Sequence, residues 1–156
     1  MVQGRNSAIG VAAVERPWVE FRKWPYEEGV WHLEIAAADG RFGACQDFYA
    51  SESQILEFAR ELQAFPRHRE HAVVLEVGQR DPKWAHWVYL RGFLVDPLGR
   101  AALVVEVSTN REDPHRREAH FSILCEVASL NRLGQLLARW IVEDDSTCRV
   151  ELTPSS

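Results

Sequence analysis

Six carboxylates stand between apolar neighbours: Glu20 in VEF, Glu34 in LEI, Glu76 in LEV, Glu106 in VEV, Glu126 in CEV and Glu151 in VEL. A glutamate so placed is an acid or base, a ligand, or the wet side of a strand. His32 and Glu34 spell H-x-E, which opens the zinc deaminase signature, but the P-C-x-x-C that completes it is absent. His68 and His71 have the spacing of a metal pair, in a basic loop without the Cys or acidic run that would close a shell. That loop reads as a solvated turn. His120 near a carboxylate has the groups for proton transfer, although a cross-strand Glu–His pair needs no such role. Cys45, Cys125 and Cys148 form no C-x-x-C; Cys45 and Cys125 lie in strands and read as small core residues rather than nucleophiles. There is no G-x-S-x-G, no P-loop and no G-x-G-x-x-G. No catalytic residue, metal ligand or cofactor is therefore assigned.

The elements that carry these residues are mostly strands. WVEFRKW (18–24) alternates apolar and polar, VWHLEIAAA (30–38) runs to an Asp39-Gly40 turn, and RFGACQDFY (41–49) returns. Ser51 and Gln54 have capping-box spacing before Ile55, Phe58, Ala59, Leu62 and Phe65, an amphipathic helix closed by Pro66. AVVLEVG follows as a strand. The second half repeats the order, with HWVYLRGFLVD, AALVVEVST and EAHFSILCEV as strands, SLNRLGQLLARWI as a helix and CRVEL as the last strand. Each half reads β-β-β-α-β. A slide of about 78 residues lays Ile55 on Leu133 and Phe58 on Leu136. The expectation is one α+β domain over 16–152, a mostly antiparallel sheet with two amphipathic helices on one face, built as pseudo-duplicated halves. Residues 1–15 and 153–156 are expected as flexible tails; the small-apolar run at 8–14 reads as tail rather than leader.

Alternate strand residues point to opposite faces. Leu33 and Ile35, Leu75 and Val77, Leu103 and Val105, and Phe121 and Ile123 share the apolar phase, while His32, Glu34, Glu76, Glu106 and His120 share the other. Trp87, Tyr89 and Arg91 join that second face from a strand apolar on both sides. A mixture of Trp, Tyr, His, Arg and Glu suits a partner or a second copy. The competing expectation is that loops, the N-terminal tail or sheet curvature cover the aromatics. The candidate binding face is thus Glu34, Glu76, Glu106, His32, His120, Arg91, Trp87 and Tyr89.

The net charge of -5 disfavours nucleic acid, which calls for a basic stripe. No run approaches the ~20 apolar residues of a membrane span, and an odd count of three cysteines reads as a reducing, cytoplasmic setting. WHLEI, a strand ending in FY, LEFARELQAFP, LEVG, a D-x-x-G hairpin and CEVASL together resemble small bacterial proteins of unknown function, some of them immunity proteins of toxin systems. The resemblance implies a bacterial, intracellular α+β protein that binds protein, and brings no catalytic residues. The leading expectation is a non-catalytic binding module, immunity-like, using the acidic and aromatic face against a basic protein. The alternatives are a small-ligand binder or enzyme with a pocket lined by His and Glu over the sheet, and a homodimer interface with no ligand.

Overall fold

The computed structural model describes residues 16–154. The chain runs β1 (Trp18–Glu27), β2 (Val30–Ala38), β3 (Gly43–Ser51), α1 (Glu52–Gln63), β4 (Ala72–Gly78), β5 (Trp87–Leu94), β6 (Arg100–Ser108), β7 (Glu118–Glu126), α2 (Val127–Trp140) and β8 (Thr147–Glu151). This is an α+β fold of two β-β-β-α-β halves, and every strand pairing is antiparallel. The strands divide into two four-stranded sheets, ordered β3-β2-β1-β8 and β4-β5-β6-β7. Each half makes its own three-stranded meander and sends its last strand to the other half's sheet. β8 lies on β1 with Trp18 opposite Glu151, and β4 lies on β5 with Gly78 opposite Trp87. Alternation along a strand reports its faces and not its neighbours, so this exchange is invisible to the period-2 pattern.

All ten elements contribute to one buried cluster, from Val19 and Phe21 of β1 to Val150 of β8. The inward phases are those read from alternation. The helices bury Ile55, Phe58, Ala59 and Leu62 on α1, and Leu130, Leu133, Gly134, Leu137 and Trp140 on α2. They touch at Gly134, where an added Cβ would stand 2.5 Å from Ala59 O and 2.7 Å from Leu62 Cβ. Ser51 occupies the N-cap position of α1 and Glu126 that of α2. Matching the caps lays Ile55 on Leu130 and Ala59 on Gly134, so the helices cross at equivalent positions, as a pseudo-two-fold demands. The slide that put Ile55 on Leu133 is wrong by about one turn, because an apolar stripe repeated at three and four residues looks alike after such a shift.

The four helix ends are held differently. Ser51 Oγ accepts from Gln54 N (3.1 Å) while Gln54 Oε1 accepts from Ser51 N (3.0 Å), the expected capping box. Glu126 gives α2 no side-chain cap. Instead Val127 N donates to Gly99 O (3.3 Å) and Glu126 N to Thr153 O (3.0 Å). Thr153 N in turn donates to Ser129 Oγ (2.8 Å), so Thr153, expected in a flexible tail, is tied at both backbone groups. At the other ends, Asn131 Nδ2 donates to Leu62 O (2.9 Å) and Phe65 O (2.8 Å). Lys23 Nζ donates to Trp140 O (2.5 Å) and Glu143 O (2.6 Å).

Lys23 is only 5 % exposed and shares the inward phase of Val19 and Phe21. Its ammonium lies 4.9 Å from the ring centres of both Trp31 and Trp140. Burial lowers its pKa below the usual lysine value, and the carboxylates of Glu52, Asp144, Asp145 and Glu143 oppose that shift.

Candidate functional site

Two sheets have two outer faces, and the eight predicted residues are shared between them. His32 and Glu34 stand on β2, in the first sheet. Glu76, Trp87, Tyr89, Arg91, Glu106 and His120 stand on β4 to β7, in the second. The single acidic face expected from phase alone is thereby corrected: the same outward phase on different sheets brings no residues together.

On the second sheet, register sets one row of Glu76, Tyr89, Glu106 and His120 across all four strands. Glu76 accepts from the indole of Trp87 (2.8 Å), and Glu106 lies 3.5 Å from His120 Nδ1. Arg80 pairs with Glu118 (3.3 Å) and stands over the Trp87 ring. Trp87 stacks on Tyr89, with ring centres 5.7 Å apart. Arg91 covers Phe93, 4.5 Å from its ring centre. The next row, Val74, Arg91, Val104 and Ser122, is mixed, and the one beyond it, Ala72, Phe93, Ala102 and Leu124, is apolar. Val74 and Leu124 are exposed, whereas Ala102 and Val104 are buried although they point outward, shielded by the longer side chains around them. No helix among the described residues packs on this side.

The first sheet's outer face is organised by arginine. Glu20 binds Arg22 (2.9 Å) and Arg149 (3.3 Å), and Arg149 stacks 4.1 Å from the Trp18 ring centre. At the hairpin end, Trp24, His32 and Tyr49 form one cross-strand row. The His32 ring lies 5.0 Å from Trp24 and 4.9 Å from Tyr49, and its Nε2 meets Asp47 at 2.9 Å. Glu34 lies beside Cys45, whose thiol is pushed up to about 11, by desolvation first and then by its hydrogen bond to Glu34.

Sequence reasoning missed two residues. Lys23 was visible as the one cation in the apolar phase of WVEFRKW. His71, read as part of a solvated turn, is buried; Arg67 N donates to its Nδ1 (2.9 Å), so the proton sits on Nε2, 3.3 Å from Glu61 Oε1. That pair fastens the loop to α1, and no nearby sequence motif announces it.

What these arrangements can do chemically is limited. The hollow over the second sheet that contains Trp87, Glu106, Glu118 and His120 measures about 160 Å³, below the ~300 Å³ at which ligand pockets begin. Burial holds Cys125 at about 12 and Cys148 at about 11. With Cys45 also raised, none of the three thiols is an activated nucleophile. Among the described residues no group of three His, Cys, Asp or Glu side chains is placed to hold a metal ion. No helix among them is long and apolar enough to cross a membrane.

The chain matches no protein-family model and no curated protein.

Proposed function

We propose that this chain is a non-catalytic binding module, immunity-like, that takes a basic protein partner on the outer face of the sheet β4-β5-β6-β7. One observation carries the reading: Trp87, Tyr89, Arg91 and Phe93, the four outward residues of inner strand β5, stand half-buried in one line on a face with no helix over it among the described residues. Trp, Tyr and Arg are the residue types that dominate binding energy at protein interfaces. Glu76, Glu106 and Glu118 border them and give the face the sign that speeds association with a basic surface. The exposed Val74 and Leu124 extend the apolar part of the patch toward its two edges. A second copy of the chain is the competing occupant of the same patch.

The test is co-expression with the protein encoded beside it, using the wild type and a Tyr89→Ala/Arg91→Glu variant of matched thermal stability. The expected result is a complex that survives size exclusion with the wild type and is lost with the variant. Equal retention by both, or no complex with either, overturns the reading. Light scattering of the chain alone decides for the homodimer if its mass is doubled at every concentration and halved by the substitutions.

A further inference from the structure

Proline has no N–H to give a ladder, and at Pro25 the pairing of β1 with β2 shifts register, resuming at Glu27. The hairpin then turns at Gly29 with φ +77, a conformation open to glycine. Its carbonyl accepts from Glu52 N (3.4 Å), which fixes the start of α1 against the hairpin tip. Between them the bulge leaves a hollow of about 310 Å³ lined by Pro25, Glu27, Gly29, Val30, Trp31 and Glu52. Its walls are an indole, a proline ring and a valine, and its only ionisable groups are two carboxylates.

Those carboxylates are uncommitted to any ion pair. Glu27 and Glu52 form no salt bridge within 4.0 Å among the described residues. Glu52 acts on Lys23 through space, but Lys23 does not line the hollow and gives its hydrogens to Trp140 O and Glu143 O. An aromatic face with carboxylates beside it attracts an organic cation twice, through the ring quadrupole and through charge. A metal ion would find too few donors here, and an anion would meet two like charges.

We infer that this hollow is a binding site for an organic cation, an alkylammonium or guanidinium group on an aliphatic stem. The stem lies along Pro25, Val30 and Trp31, and the charged head sits between Glu27 and Glu52. Such a group comes either from a lysine or arginine side chain of a protein or from a free amine. The site is on the first sheet, so it stands or falls separately from the partner face of the second.

The experiment follows the backbone amides of Gly29 and Val30 and the indole N–H of Trp31 by NMR in the full chain. The probes are n-butylammonium, n-butylguanidinium, a capped Gly-Lys-Gly peptide and neutral n-butanol. Saturable shifts at these three groups are expected with the cations and not with butanol. The affinity should fall about tenfold in Glu27→Gln/Glu52→Gln, which keeps side-chain shape and hydrogen-bonding capacity while removing charge. Tighter binding of the peptide than of butylammonium identifies a protein side chain as the source, and the reverse identifies a free amine. Equal shifts with butanol, no shifts up to tens of millimolar, or undiminished binding by the double variant each overturn the inference.

Discussion

At the end of α1, Leu62 O and Phe65 O take the two hydrogens of the Asn131 amide, while at the end of α2, Trp140 O and Glu143 O take the Lys23 ammonium. By the cap alignment Phe65 and Trp140 are equivalent, so one problem of orphan carbonyls is met in two ways. The amide is neutral and comes from the neighbouring helix. The ammonium complements the negative end of the helix, but it must then be kept inside the protein. Two indole faces and four nearby carboxylates compensate the loss of water around it. Strand register shows what the second half does instead: Lys23 is opposite Leu33 on β2, and its counterpart opposite Leu103 on β6 is Gly92. There Leu130 Cδ1 comes within 3.2 Å of where a Cβ would be, and Leu62 Cδ2 within 3.6 Å. One half spends the position on a cation and the other on close approach of the helices.

The comparison breaks most completely at the crossing on which both ends depend. In Gly134→Ala the new Cβ meets the backbone of Ala59 and Gln63, which cannot swing aside. A loss of about 3 kcal/mol in urea unfolding is expected despite the better helix propensity of alanine. A stabilised variant would show that the helices can part at no cost. Lys23→Met keeps the stem between the tryptophans and leaves two carbonyls without their donor. About 2 kcal/mol should be lost, and Asn131→Ala should lose about 1 kcal/mol through the same deficit at α1. Equal losses would mean that the charge adds nothing to the cap.

The charge can also be isolated by pH. Folding lowers the Lys23 pKa through burial, whereas the unfolded chain keeps the ordinary value of 10.5. Between those two values the unfolded state holds more protons, so this residue makes the protein more stable as pH rises. The stability gap between wild type and Lys23→Met should therefore widen from pH 7 to pH 10 in unfolding experiments. A constant gap would show that the buried amine titrates like a free one. The smallest effect expected is at Cys45, exposed yet raised to about 11. Its alkylation should climb about tenfold per unit from pH 7 to pH 10, with a lower midpoint in Glu34→Gln. The same midpoint in wild type and Glu34→Gln would remove Glu34 as a cause of the raised value.

The elements themselves were legible, and for local reasons. Ser51, Gln54 and Pro66 mark α1, and the Asp39-Gly40 pair marks a turn, because capping and turn chemistry act within a few residues. Strand phase placed Leu33, Leu75, Leu103 and Ile123 inside without exception. The candidate site was legible only in part, since phase says which side a residue faces and nothing about which sheet it belongs to. Trp87, Tyr89, Glu76, Glu106 and His120 share a face because β4 to β7 pair in chain order as one sheet, and nothing in their alternation says that this sheet ends at β4 and excludes β2. His32 and Glu34 carried the same signal and stand elsewhere. Lys23 broke the apolar phase in plain view, and the meaning of that breach lay in carbonyls of Trp140 and Glu143, far along the chain.

The exchange of β4 and β8 also sets an order of events during synthesis. β1, β2 and β3 emerge first and can zip into a meander, yet the open edge of β1 has its partner, β8, behind both helices in the chain. The second sheet meets no such delay, because β4 is already out when β5 appears. The sheet that is begun first is therefore finished last, and until then a row of unpaired β1 backbone groups stands open beside a nascent protein core.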